Sequence, residues 1–508
     1  MNVAQLIHES ASRHPEKTAI SFEGVPWTYE SFDRKVERCA GALHVLGVQK
    51  GDRVALQLPK RMEFLFLHFA ALSLGAIALP LNSDYQAEEV HYFLTDSEST
   101  IFITDRDRHC RIRGHLQNVK GLQVLLVDGE EEGAGFLGRA LEAAPKHFAR
   151  PYAARGGDTA MICYTSGTTG RSKGAMITHE NLISNSRALA QAWQWTENDV
   201  LLHVLPLFHV HGLNVAVVGS LLAGASMHMH EKFAPARAWK TIEQERCTLF
   251  MAVPTIYQRL LNEWETMETK PNLSSMRVFI SGSAPLSDNL FHRFETTTGF
   301  RILERYGMTE TGMNTSNLID PTGRKAKSVG YPLPGVSIRV VGQDGADVPP
   351  GTVGEVWIKG PNVFSGYWRM PEKTSESFVG EWFKSGDLGY LDPADDNRLY
   401  LVGRGKELII TGGYNVYPKE IENVLESHEA VRESAVVGLP DEDLGDRVTA
   451  AVVLKEGASA TAEELTALCK SKLAGYKCPK QIYFLEVLPR NAMGKIQKNI
   501  LTAALIRS

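Results

Sequence analysis

No two cysteines in this chain are spaced as C-x-x-C. The six present, Cys39, Cys110, Cys163, Cys247, Cys469 and Cys478, are scattered over 508 residues. That pattern excludes a disulfide-framed scaffold and a cysteine-rich zinc site, and it suits a reducing compartment. Charge of one sign is missing too. The chain carries 54 Lys and Arg against 59 Asp and Glu, a net charge of −5, and the two signs are well mixed, which is no footprint for nucleic acid. Long unbroken apolar runs are lacking. "FLFLHFAALSLGAIALPL" carries a histidine and is interrupted by Gly and Pro, so it reads as a core helix followed by a strand, without integral membrane association. The first twenty residues show no charged segment leading into an apolar one, and the expectation is a cytoplasmic protein.

What remains is a globular composition, 43% apolar and 22% charged, in a chain too long for one ordinary core, so two or more domains are expected. From about residue 35 to 82 helical and strand patterns alternate, the strands being "DRVALQLP" and "AIALPLN". "ESTIFITD" and "LQVLLVD" add short apolar strands ending in Asp. This alternation predicts parallel βαβ units. Three further strands, "AMICYTSG", "RVFISGSAPL" and "RILERYGMTE", each run into a polar or Gly-rich turn, and in α/β sheets ligands collect at such strand ends. Past about residue 325, short alternating strands with Pro, Gly and Asp turns predict a smaller β subdomain. From Lys406 the pattern is again mixed α and β.

The stretch from Thr165 to Gly174, "TSGTTGRSKG", holds three glycines, five hydroxyls, an arginine and Lys173. Glycine lets backbone N–H groups approach a ligand, while hydroxyls and a mobile ammonium add donors, so the stretch is suited to phosphate oxygens. It is not the G-x-x-x-x-G-K-[ST] loop: counted from Gly167, that pattern needs Gly and Ser or Thr where Ser172 and Gly174 stand. On its residues alone it is either a phosphate cradle or a solvated loop.

Further motifs follow in order: "ERYGMTET" (Glu304 to Thr311), "FKSGDLGYLD" with Gly386 and Asp387, "LVGRGKELIITGGYNVYP" (Leu401 to Pro418) and "LPRNAMGKIQK" (Leu488 to Lys498). With the Gly/Thr/Ser loop they resemble the acyl-adenylate-forming superfamily of acyl-CoA synthetases, luciferases and carrier-protein adenylation domains, over essentially the whole chain. Within it, "PLFHVHGL", "SGSAPL", "LPGVSIRV", "KGPNVFSGYWRMPEKT" and "ITGGYNVYPKEIE" are most similar to malonyl-CoA synthetases.

The resemblance implies an α/β fold: a large N-terminal domain (1–405) of mixed, mostly parallel sheets with helices plus a β subdomain, and a small mobile α+β C-terminal domain (406–508). It implies ATP, Mg²⁺ and coenzyme A. A carboxylate attacks the α-phosphate of ATP, giving an acyl-adenylate and pyrophosphate, and the thiol of coenzyme A then displaces AMP. Thr165, Ser166, Gly167, Thr168, Thr169, Gly170 and Lys173 would hold the β- and γ-phosphates. Glu310 would bind Mg²⁺ and Thr309 the α-phosphate. Tyr306, followed by Gly307, would pack on adenine, bordered by Ser283, Ala284 and Pro285. Asp387 and Arg404 would take the ribose hydroxyls. Lys495 would reach the reacting carboxylate and α-phosphate. Lys406 marks the hinge, and Gly412 and Gly413 would line the pantetheine tunnel after rotation. His209 would stand at the acyl-pocket wall.

Arg305 is the substrate clue. A buried guanidinium without a partner is costly, and a second substrate carboxylate would satisfy it; an internal salt bridge, with Glu304 for instance, is the structural alternative. The partner expected is therefore a small carboxylic acid, a dicarboxylate with malonate first, with oligomer formation left open. Alternatives are a ligase for a short, medium-chain or aryl monocarboxylic acid, and a non-catalytic nucleotide-binding relative. A carrier-loading module lacks its carrier here, and an oxygenating luciferase would share every motif. His209 and His211 are not read as a metal pair, His228 and His230 are read as strand alternation, and Lys498 is read as solvated.

Overall fold

The computed structural model describes residues 1–131, 133–165, 172–411, 414–441, 444–473, 475–491 and 494–507. The predicted βαβ alternation is there. Strands Arg53–Gln57, Ile77–Pro80, Ile101–Thr104 and Gln123–Leu126 are parallel neighbours in one sheet. Between the first two runs helix Met62–Leu74, buried at every position except Glu63 and closed by Gly75 at φ +79°. A helix apolar all round belongs inside a protein of this size or inside a membrane. This one has 13 residues, and no described helix is long and apolar enough to cross a membrane.

A second, larger sheet carries the site. Its parallel part is Ser226–Met229, Val200–His203, Leu249–Ala252, Val278–Ser281 and Leu303–Met308. The chain then turns back. Gly312–Ser316 pairs antiparallel with Leu303–Met308, and Ser328–Pro332 pairs with Gly312–Ser316 on one side and Arg398–Arg404 on the other. Trp382–Asp392, Gly354–Lys359 and Ser337–Val341 complete this side. The expected β subdomain is thus hydrogen-bonded into the large sheet. The junction depends on Gly330 at φ +82°, where a β-carbon would lie 2.0 Å from the Ser316 carbonyl oxygen, a place only glycine fits.

The sequence pattern runs "AMICYTSG" through its loop toward a helix. Between loop and helix the structure inserts a strand, Lys173–Thr178, antiparallel to Thr159–Thr165. The loop therefore joins two hairpin strands and does not open a helix. Thr178 ends the strand and starts helix His179–Trp193: its hydroxyl accepts the Asn181 N–H, and the Asn181 side chain accepts the Thr178 N–H.

Beyond Arg404 a separate sheet forms from Ile409–Thr411, Tyr414–Val416, Val431–Asp441, Gly445–Leu454 and Gln481–Phe484. Its two faces follow strand alternation. Val436, Val448 and Val452 pack with Ile421, Leu425 and Leu465 on one side. Ala435, Val437 and Ala451 pack with Leu488, Leu501 and Leu505 on the other, under helix Lys498–Arg507.

Candidate active site

Three strand ends converge. Leu303–Met308 and Gly312–Ser316 are joined by the turn holding Thr309, Glu310 and Thr311. The tight return requires glycine at 307, where a β-carbon would meet the Gly312 carbonyl oxygen at 2.2 Å. Alternation along Leu303–Met308 sends Glu304 and Arg305 to opposite faces.

On the Tyr306 side the polar groups are already paired. The Tyr306 hydroxyl donates to Asp387 Oδ2 at 2.6 Å, and Arg404 Nε donates to Asp387 Oδ1 at 2.9 Å. Asp387 and Arg404 are cross-strand partners. The Asp387 N–H rests on Ser385 Oγ at 3.0 Å. The loop after Val278–Ser281 closes this region. Ser283 there adopts φ +71°, a left-handed conformation rare outside glycine, and its Oγ lies 3.2 Å from His211 Nδ1. Ala284 and Pro285 continue the loop, and the Leu286 N–H donates to Glu304 Oε1 at 2.9 Å.

On the Arg305 side the opposite holds. Arg305 is 3% exposed, and its Nε and Nη2 have no hydrogen-bond partner among the described residues. Burial pushes its pKa down to about 9, with Tyr257 and Glu304 opposing. Glu304, offered by the sequence as an internal partner, takes the Leu286 amide instead, and burial pushes its carboxyl up to about 8. The guanidinium occupies the space above Gly282, where a β-carbon would stand 2.4 Å from Cζ. His209 and His211 border it. Burial first, and then the Arg305 charge, hold the His209 imidazole at about 4 and the His211 imidazole well below its usual value. His211 opens a π-helical turn, His211–Val218, a form frequent at functional sites. Described residues contain no cluster of metal-ligating groups.

A third group lies toward the phosphate-loop hairpin. Glu310 is buried, and burial raises its pKa. Its Oε1 accepts the Tyr367 hydroxyl at 3.0 Å. Lys173 has its Nζ 4.1 Å from the centre of the Tyr367 ring, and burial lowers its pKa while Glu310 opposes. A buried carboxylate beside a lysine ammonium supplies the hard oxygen that a divalent ion prefers.

Lys495 lies between strand Gln481–Phe484 and helix Lys498–Arg507. The Lys495 N–H donates to Asn491 Oδ1 at 2.9 Å, the Asn491 N–H to the Lys495 carbonyl at 2.9 Å, and Gly494 has φ +75°. A β-carbon on Gly494 would lie 3.4 Å from Thr255 Oγ1 of helix Pro254–Thr266, so this loop abuts the large part of the molecule. Lys495 feels Arg404, Asp387 and Glu407; desolvation and then Arg404 lower its pKa. Lys406 lies in the short turn Gly405–Glu407 and within electrostatic reach of Lys173.

Hydrogen bonds and electrostatic couplings thus link Lys173, Glu310, Arg404, Asp387, Tyr306 and Lys495 in one chain of neighbours, with Thr309 next to Glu310 in its turn. Arg305, His209 and Ser283 stand beside it. Ser166, Gly167, Thr168, Thr169, Gly170, Gly412 and Gly413 lie outside the described residues. Lys498 is not solvated as expected: its Nζ pairs with Glu422 at 2.7 Å and Glu407 at 3.3 Å. Sequence reasoning passed over Tyr367 and Gly282. The signal for Gly282 was its place at the end of an apolar strand, directly before Ser283.

Comparison with known proteins gives the family. Residues 7–368 match the AMP-binding enzyme family and residues 420–495 the AMP-binding enzyme C-terminal domain. A long-chain-fatty-acid–CoA ligase from Bacillus subtilis (strain 168) is 34% identical, over 97% of this chain and 92% of its own. The mitochondrial malonate–CoA ligase of Mus musculus is 34% identical over 94% and 87%. The crystal structure of ATP-bound MatB from Rhodopseudomonas palustris superimposes with a TM-score of 0.91 at 42% identity, covering 99% of both chains. The chain belongs to the AMP-binding enzyme family, and it is an ATP-dependent, AMP-forming acid–thiol ligase that joins a carboxylic acid to coenzyme A.

Proposed function

We propose that the acid is a small dicarboxylate, malonate first, and that the product is malonyl-CoA. The observation that carries this reading is Arg305, buried beside neutral His209 with Nε and Nη2 unpaired. An apolar acid would leave that charge unmatched. A distal carboxylate would accept two charge-assisted hydrogen bonds from it.

The remaining roles are those that the family resemblance implies. Thr165, residues 166–170 and Lys173 hold the outer phosphates. Thr309 meets the α-phosphate. Tyr306 stacks on adenine against Ser283, Ala284 and Pro285, and Asp387 and Arg404 turn their existing bonds toward the ribose hydroxyls. Glu310 would hold Mg²⁺, which supplies neutralising charge to the phosphates when bound. Lys495 places a compact charge where the attacking carboxylate and the α-phosphate meet. Residues 1–405 and 406–508 act as two bodies about Lys406. Rotation withdraws Lys495 and brings the segment with Gly412 and Gly413 to the thioester-forming face.

The test is a carboxylic-acid panel with ATP, Mg²⁺ and coenzyme A, reading AMP and acyl-CoA for wild type and Arg305→Leu. Breaking the pair should cost roughly 2–5 kcal/mol, or about 30-fold to several thousandfold in kcat/KM for malonate, while relative use of butyrate rises. Wild-type preference for butyrate or benzoate, or undiminished malonate use by the variant, would remove the dicarboxylate assignment and leave the ligase intact.

A further inference from the structure

We propose that Tyr367 is a positioning residue that keeps Lys173 and Glu310 apart while aiming both at the phosphate space; this rests on the roles given above to those two residues. One side chain touches both. The Tyr367 ring lies under the Lys173 ammonium, 4.1 Å from centroid to Nζ. Its hydroxyl donates to Glu310 Oε1 at 3.0 Å.

The tyrosine is fixed from several directions. Strand Gly366–Tyr367 pairs with Lys173–Thr178, setting Tyr367 opposite Ala175. The Tyr367 N–H donates to Thr374 Oγ1 at 2.9 Å, and the Phe364 ring packs edge-on at 4.9 Å. The flanking backbone reaches both partners. The Phe364 N–H donates to the Glu310 carbonyl at 2.7 Å, and the Trp368 N–H to the Gly174 carbonyl at 2.7 Å. The segment from Phe364 to Trp368 is therefore a brace between the turn of Glu310 and the strand of Lys173.

The chemistry explains the need. A lysine and a carboxylate sharing a half-buried space would pair directly and cancel the charges that a nucleotide and its cation require. The aromatic face attracts the ammonium less strongly than a carboxylate does, so phosphate oxygens can take it away. The phenol binds the carboxylate through Oε1 alone and brings no charge to cancel that of a cation.

The experiment separates ring from hydroxyl. ATP affinity is measured by calorimetry without Mg²⁺ or acid, and the Mg²⁺ concentration for half-maximal AMP formation is measured at saturating ATP. Tyr367→Leu should weaken ATP binding about tenfold, whereas Tyr367→Phe should stay within about twofold. Tyr367→Phe should raise the Mg²⁺ requirement about threefold to tenfold. In a Lys173→Met background, Tyr367→Leu should weaken ATP binding little further. If the leucine variant does not fold, Tyr367→Met replaces it. Unchanged ATP affinity in a folded Leu or Met variant, or an equal loss without Lys173, overturns the role of the ring. An unchanged Mg²⁺ requirement in Tyr367→Phe overturns that of the hydroxyl. The binding measurement needs no turnover, so it stands apart from the choice of acid; failure of wild type to form AMP with any acid would instead overturn the ligase reading.

Discussion

Arg404 and Arg305, assigned under the proposed function to a nucleotide half and an acyl half of one site, are treated in opposite ways. Arg404 shares Asp387 with the Tyr306 hydroxyl, so the nucleotide half meets its own polar demand before any ligand arrives. Arg305 is buried among groups that do not answer it. The difference teaches where selectivity resides. Binding on the nucleotide half exchanges existing bonds for similar ones, which gives a shaped but moderate grip. Binding on the acyl half relieves an unmet charge, so an acid without a matching group forfeits that gain.

The sharpest way to break the contrast is at its seam, where the two halves meet at the α-phosphate. Lys495→Ala should slow adenylate formation by about 10²–10³-fold, while thioester formation from supplied acyl-adenylate changes only severalfold. Pyrophosphate release and acyl-CoA formation, assayed separately, check this; equal loss in both assays contradicts a rotating small domain.

Next in size is Gly282→Ala. The new methyl would collide with the Arg305 guanidinium at 2.4 Å and push it off its position. KM for malonate should rise about tenfold to thirtyfold with KM for ATP nearly unchanged. A parallel rise in both would erase the distinction between the halves.

Asp387→Asn probes the other side. The amide keeps one acceptor oxygen but sets an NH2 donor in place of the other, so either Arg404 or the Tyr306 hydroxyl loses its acceptor and Arg404 loses its counter-charge. KM for ATP should rise about tenfold, and the ranking of acids should stay the same. A changed ranking would show that the nucleotide half also selects the acid.

The smallest effect is on stability. His211 is fully buried and titrates well below 6.5 because of desolvation and the nearby Arg305 charge. Its folded pKa is depressed, so the unfolded chain binds the proton first. The stability it contributes is complete above pH 6.5 and drains as pH falls from 6.5 toward the folded value, at up to about 1.4 kcal/mol per pH unit. Denaturant unfolding of wild type and His211→Asn between pH 7 and 5 checks this: the variant should lose less stability on acidification.

Much of the site could be read from the sequence because its residues lie in short, ordered motifs. Tyr306 and Glu310 come from one strand and the turn that follows it, Asp387 and Arg404 from two paired strands, and Lys495 from a glycine-marked segment. Arg305 was legible as a charge standing directly before Tyr306 and Gly307 in the motif, while the sequence left a pair with Glu304 open. Other features depend on contacts between distant segments. Lys498 was read as solvated because nothing local to it reveals Glu407 or Glu422. Tyr367 looked like one more aromatic; only its pairing with the Lys173 strand places it between a cation and an acid. The strand Lys173–Thr178 was missed because five hydroxyls and two glycines just before it, and Gly174 within it, read as loop, while its pairing with Thr159–Thr165 supplies order that local propensity does not.

Lys498 also has a mechanical meaning. It ties Glu407, one residue past Lys406, to Glu422 on helix Pro418–Glu426, and it lies three residues beyond Lys495 in the chain. On the proposed rotation about Lys406, these ion pairs make the segment past the pivot, that helix and the Lys495 end of the chain turn as one lever arm, so the angle of the proposed pivot sets whether the Lys495 charge is in the site or out of it.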